Sequence, residues 1–166
     1  MDITINLWVN YWAVLVCGVA SMIIGGLWYG PLFGKMWIQE MGWGNKSPEE
    51  VAVMKKKANI AYPQAFIGAL VMALVLSIML GMSRFHWPFG YTEAGSIGHG
   101  LQAAFVMWLG FVLPVKYADK LWGGKSLKLV AIETSYYLVQ LAVFAIILVS
   151  WPLQSFAKII FDIPFG

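Results

Sequence analysis

Four continuous apolar runs constrain this chain more than any other feature. They occupy residues 8–30, 60–82, 94–115 and 128–150. A helix needs about 20 residues to cross about 30 Å of hydrocarbon, and each run is near that length. The runs are continuous rather than alternating, and lipid offers no water to satisfy an open strand, so helices are predicted. Composition points the same way. The 166 residues are 60% hydrophobic and 11% charged, against about 25% charged in an ordinary soluble domain. A soluble fold of this length has too little interior to hide that much apolar surface. A soluble domain, a disordered chain and a disulfide scaffold are therefore excluded. The expectation is an all-α, single transmembrane domain over residues 1–166: a four-helix bundle with short interfacial helices, in a cell membrane.

Charge placement predicts the topology. Lys35, Lys46, Lys55, Lys56 and Lys57 lie in the first connection, and Lys116, Lys120, Lys125 and Lys128 in the third. The second connection holds Arg84 and the C-terminal tail Lys158. Cations flanking spans collect on the cytoplasmic side. Connections 31–59 and 116–127 are thus expected in the cytoplasm, and both termini outside. This pattern also argues against a nucleic-acid partner despite the net charge of +3. The N-terminal segment carries Asp2 and no Lys or Arg, unlike a cleavable signal peptide, so the first run is read as a retained helix. Cys17 is the single cysteine, so no intrachain disulfide can form.

The connections have local signals of their own. Ser47-Pro48-Glu49-Glu50 reads as a capping box with proline at the first helical position, starting a helix that runs towards the second span. Residues 84–91 are rich in aromatic rings, which favour the headgroup zone. After Trp151-Pro152, the residues Leu153, Phe156, Ile160 and Ile163 fall on one face. Residues 151–166 therefore read as an interfacial amphipathic tail. Trp28-Tyr29-Gly30-Pro31 and Phe111-Val112-Leu113-Pro114 are both aromatic–x–x–Pro at a helix end. Either an internal duplication or the ordinary placement of proline at helix termini accounts for the pair.

Small residues recur at four-residue spacing. The second run places Ala61, Ala65, Ala69, Ala73, Ser77 and Gly81 in register; the first places Ala13, Cys17, Ser21 and Gly25, with Gly26, Gly30 and Gly34 as a second stripe. Lipid gives helices no hydrophobic drive to associate, so close contact over small side chains must supply it. A spacing of four drifts about 40° per step, so only part of each stripe serves one crossing. The remainder is expected to face a second partner, with a homo-oligomer, and a dimer in particular, favoured.

Gly25-Gly26-Leu27-Trp28-Tyr29-Gly30-Pro31-Leu32-Phe33-Gly34 is the most distinctive stretch. Glycine permits close approach and Pro31 removes a backbone donor. It reads either as a broken helix lining a solute site or as a helix end with an aromatic belt. Together with Asn10-Tyr11-Trp12-Ala13-Val14-Leu15-Val16, this stretch resembles the membrane family called domain of unknown function 1761. The later Trp108-Leu109-Gly110-Phe111-Val112-Leu113-Pro114 is similar to that family's third span. The resemblance implies four spans and no established activity. It marks Asn10, Trp28, Tyr29, Gly30 and Pro31 as functional or fold-defining positions.

Ionisable and polar groups inside spans are costly to bury and are functional candidates by default. Glu133, Tyr137 and Gln140 share a face of the fourth run, as spacings of three and four allow. Glu133 reads either as a gate for a proton or cation or as a carboxylate snorkelling towards the interface near Lys128. His99 and Gln102 share a face of the third run, with Asn10 at similar depth, and together they form a candidate polar site. Two histidines, His86 and His99, without tight ligand spacing do not make a metal site, and no metal or cofactor is expected. Gly95-Ser96-Ile97-Gly98-His99-Gly100 follows no strand, so it lacks the setting of a phosphate loop. No nucleophile–base pair is evident, so an enzyme is not expected. The first run holds no carboxylate, unlike small four-span multidrug exporters. Two readings remain: a small oligomeric transporter or channel, or a non-catalytic accessory subunit of a membrane complex.

Overall fold

The computed structural model describes residues 9–44, 46–82 and 95–151, and every regular element among them is helical. The order is α1 (Tyr11–Leu27), a π-turn over Trp28–Leu32, α2 (Gly34–Glu40), α3 (Pro48–Met82), α4 (Ile97–Met107), a second π-turn over Trp108–Val112, α5 (Leu113–Gly123) and α6 (Leu127–Ser150). Four stretches are long and apolar enough to cross a bilayer: Tyr11–Leu32, Ala52–Gly81, Ile97–Gly123 and Leu127–Ser150. Between 11% and 39% of each apolar window is buried inside the protein. Side chains such as Val16, Val19, Ile23, Ile67 and Val71 face outward, where lipid is the medium that suits them. Residues 1–8, the aromatic segment 84–91 and the tail 152–166 lie outside the described residues.

Helices outrun the apolar stretches at the lysine-bearing end. α3 starts at Pro48, well before residue 60, and α5 runs through residues 116–123, where a connection was expected. A helix satisfies its own backbone in lipid and water alike, so the change in hydropathy marks a change of surroundings and not of backbone. The start of α3 follows its local signal. Ser47 N donates to Glu50 Oε2 at 2.8 Å, and Glu50 N donates to Ser47 Oγ at 3.3 Å. This is the reciprocal capping box, with Pro48 as the first helical residue. Lys46 Nζ also donates to Glu50 Oε1 at 3.3 Å, and the bonds from the Ser47 backbone, chiefly, and then from Lys46 hold the Glu50 carboxyl below its ordinary pKa. A depressed carboxylate stabilises the fold above its unfolded pKa and ceases to as pH falls through the folded one. Ser47→Ala should cost about 1 kcal/mol of helix stability. The Glu50 contribution should fade in acid, and amide exchange over the first turn of α3 checks both.

α6 is the centre of the bundle and touches α1, α2, α3, α4 and α5. Its Leu141, Phe144 and Ala145 are buried against Cys17 of α1, Ala69, Ala73 and Leu76 of α3, and Ala103 and Ala104 of α4. Two glycines outside the expected stripes set the tightest crossings. A Cβ on Gly18 would lie 2.7 Å from Leu70 Cδ2, and one on Gly100 would lie 3.0 Å from Val149 Cγ1. The small-residue stripes are used in part. Ala13, Cys17, Ser21, Ala69 and Ala73 are buried and Ser77 half-buried, whereas Gly26, Gly30, Ala61, Ala65 and Gly81 are exposed. The drift of a four-residue repeat around the helix turns those ends away from the crossing.

The two ends of the bundle are tied differently. Asn10 Oδ1 accepts from Trp12 N and Ala13 N at 3.1 Å each, and its Nδ2 donates to the Trp151 carbonyl at 3.3 Å. The start of α1 is thereby joined to the end of α6. At the other end, Ser126 Oγ caps α6 by accepting from Leu129 N at 3.1 Å. The same hydroxyl donates to the Glu40 carboxylate at the end of α2. The first and third connections, which carry most of the lysines, therefore meet.

Candidate functional site

Helices α1, α3 and α6 part around a cavity of about 940 Å³. Ser21, Met22, Gly25, Gly26, Tyr29 and Gly30 line one side; Tyr62, Ala65, Gly68, Ala69 and Met72 line the second; Tyr136, Tyr137 and Gln140 close it from α6. The hollow arises because α1 and α3 face each other with glycine and alanine at this level, while tyrosine rings wall its ends. Tyr29 and Tyr136 have ring centroids 5.2 Å apart, and Tyr136 and Tyr137 5.1 Å. None of the lining residues is charged.

Gln140 is the polar focus. It is 2% exposed. Its Nε2 donates to Ser21 Oγ at 2.9 Å, and Ser21 Oγ lies 3.5 Å from the Tyr136 hydroxyl. Its Oε1 is buried and makes no hydrogen bond. A buried acceptor left without a partner costs about 1–3 kcal/mol. A visiting hydrogen-bond donor recovers that cost.

The glycine-rich stretch forms the floor. Pro31 has no N–H to bond the carbonyl one turn back, so the helix widens by one residue. Phe33 N donates to the Trp28 carbonyl at 2.9 Å, a five-residue step. Gly34 is buried here, and a Cβ on it would lie 2.5 Å from the Tyr29 carbonyl oxygen. Trp28 packs on Phe33 with centroids 4.7 Å apart. Its Nε1 donates to the Ile132 carbonyl of α6 at 3.1 Å. The second π-turn, just before Pro114, has a matching bond: Trp108 Nε1 donates to the Thr134 carbonyl at 2.7 Å. Each aromatic–x–x–Pro motif thus overlaps a π-turn that begins with a tryptophan hooked to α6, although Pro31 lies inside its turn and Pro114 beyond the other.

Beyond Tyr137 lies an ionic cluster. Glu133 Oε2 accepts from Lys116 Nζ at 3.2 Å and Lys125 Nζ at 3.1 Å. Asp119 accepts from Lys125 at 3.0 Å. Its partners are Lys116 and Lys125 and not Lys128. Gly124 makes this geometry. Its φ of 66° ends α5 in the left-handed region, and Lys125 N bonds back to the Asp119 carbonyl at 3.4 Å. Glycine adopts that conformation without steric cost. Burial pulls the Lys125 ammonium down, but its hydrogen bonds to Asp119 and Glu133 outweigh this and hold its pKa above the ordinary value. Lys116 Nζ also sits 5.5 Å from the Tyr137 ring centroid. Tyr137 is where the ionic cluster meets the cavity.

The other polar candidates have separate places. Asn10 spends its amide on the α1 cap and on Trp151. His99 is buried; its Nδ1 accepts from Gly95 N at 3.4 Å, and its backbone N–H donates to Ser96 Oγ at 3.1 Å. Gln102 is half-buried on α4. None of these three lines the cavity. Ser21, Tyr62 and Tyr136 at the cavity, and Lys116, Asp119 and Lys125 in the ionic cluster, were not expected as site residues. The adjacent Tyr136–Tyr137 pair beside Gln140 was the signal available for them.

Residues 12–149 match the family described as protein of unknown function, DUF1761. The chain belongs to the DUF1761 family. The matched stretch of this DUF1761 protein contains every cavity residue and all four members of the ionic cluster, and leaves out Asn10 and Trp151. None of the curated proteins and none of the solved structures matches the chain.

Proposed function

We propose that this protein is a small multi-pass transporter or channel for a small solute, with its site in the α1–α3–α6 cavity. The observation that carries the reading is Gln140, which lines a cavity between three membrane-type helices and whose Oε1 is a buried acceptor without a hydrogen-bond partner. Such a group is expensive to keep unless it meets a ligand. In this reading Tyr137 and Gln140 belong to the solute site, and Glu133 is the ionic anchor at one end of it. The protein lies in the cell membrane with both termini outside and connections 31–59 and 116–127 in the cytoplasm. That orientation is supported by the meeting of the two lysine-bearing connections at one end. It acts without catalysis, as a homo-oligomer whose protomers meet over the exposed small residues Ala61 and Gly81.

The test is flux into liposomes reconstituted with the full chain. A panel of small ions and solutes should include at least one that crosses faster than into empty vesicles. Gln140→Met, which keeps volume and removes the acceptor, should slow that flux about tenfold, the worth of one hydrogen bond in a dry site. Equal flux in loaded and empty vesicles for the whole panel defeats the reading. The exposed remainder of the α3 stripe also favours a second reading, an accessory subunit of another membrane complex. Purification in a gentle detergent then recovers a stoichiometric partner, whereas homogeneous self-assembly counts against it.

A further inference from the structure

We propose that the cavity takes a small organic cation bearing at least one N–H, of the primary or secondary ammonium class. Gln140 Oε1 is its hydrogen-bond acceptor, and the rings of Tyr29, Tyr62, Tyr136 and Tyr137 are its walls. The inference rests on the reading of the cavity as a solute site and names its substrate class.

The unused atom sets the first requirement. Gln140 Nε2 is already spent on Ser21, so what the amide offers a ligand is a carbonyl oxygen. A ligand without a donor cannot satisfy it. The lining sets the second. No side chain of either charge lines the cavity, so neither an anion nor a cation meets a full opposite charge there, and the aromatic rings decide between them. The helical N–H groups are committed to their own backbones. Four tyrosine rings carry negative π-faces, which attract a cation within about 6 Å of the ring centroid. The Tyr137 ring is already engaged by the Lys116 ammonium, 5.5 Å from its centroid, so the rings left for a ligand are those of Tyr29, Tyr62 and Tyr136. A neutral donor gains the hydrogen bond and forgoes the rings; a quaternary ammonium gains the rings and forgoes the hydrogen bond. A primary or secondary ammonium gains both. The volume of about 940 Å³ is within the range of small-molecule sites.

The test is ligand titration of the purified full chain in detergent, followed by calorimetry. The probes are propylammonium, tetramethylammonium, propionamide and propionate. Propylammonium should bind most tightly, with tetramethylammonium and propionamide each about tenfold weaker and propionate silent. Gln140→Met should weaken propylammonium about tenfold and leave tetramethylammonium unchanged. Gln140→Glu keeps an acceptor and adds a charge, so it should strengthen propylammonium by about tenfold or more. The inference is overturned if propionamide binds as well as propylammonium, if propionate binds, or if both Gln140 variants bind propylammonium like the parent. If a neutral or anionic solute crosses vesicles while no ammonium probe binds, the cation assignment fails and the solute reading survives. If ammonium probes bind and nothing crosses, transport fails and the cation site stands.

Discussion

Glu133→Gln should lower the stability of the purified protein by about 2–3 kcal/mol. Removing one member of a buried ion pair costs about 3–5 kcal/mol, because the charge left behind keeps its burial and loses its partner. Here the Glu133 side chain is 11% exposed, while Lys116 and Lys125 are 25% and 30% exposed. Water can reach the stranded ammonium groups, and Asp119 still accepts from Lys125, so the lower figure applies. Glutamine keeps the volume, so the loss is electrostatic. Asp119, at 39% exposure, is the control, and Asp119→Asn should cost less than about 1 kcal/mol. Thermal unfolding in detergent, followed by circular dichroism, reads both. A Glu133→Gln protein that melts with the parent would show that the cluster does not hold α5 to α6.

Gly34→Ala is the second large effect. The added methyl would meet the Tyr29 carbonyl oxygen at 2.5 Å, and that oxygen belongs to backbone, which cannot swing aside as a side-chain tip can. The five-residue step at Phe33 must open or α2 must shift, at a cost of about 1–3 kcal/mol. Gly26→Ala is the matched control, because a Cβ there has no neighbour within 4 Å. Both glycines belong to one motif, and only the first should register in the melting curve. Gly34→Ala should also quench or shift the fluorescence of Trp28, which stands at the start of the same turn. Equal melting temperatures for the two variants would show that the turn yields freely.

The helices were readable because hydrocarbon demands a minimum apolar length and allows few alternatives to a helix. The capping box at Ser47 was readable because its partners lie three residues apart. The grip of Lys116 and Lys125 on Glu133 was not, since it depends on α5 continuing past residue 115 and on the left-handed turn at Gly124. Asn10 shows a different gap. Its position just ahead of an apolar run is a helix-start signal, yet an amide at the edge of a span reads equally as a polar site, and the structure uses it as a cap. Tyr137 and Gln140 were placed on a common face from spacing alone. That they look into a hollow follows from small residues on two other helices, a fact no single stretch of chain contains.

The two indole bonds to α6 carry a mechanical consequence. Ile132 and Thr134 are two residues apart, so their carbonyls lie about 3 Å apart along the axis and about 200° apart around it. Trp28 and Trp108 thus pin α6 from nearly opposite sides at one level. A helix held that way resists sliding like a piston, because either direction breaks both pins at once. Tilting about the pinned level stretches them least, so any opening of the bundle should swing the two ends of α6 in opposite senses around a fixed fulcrum.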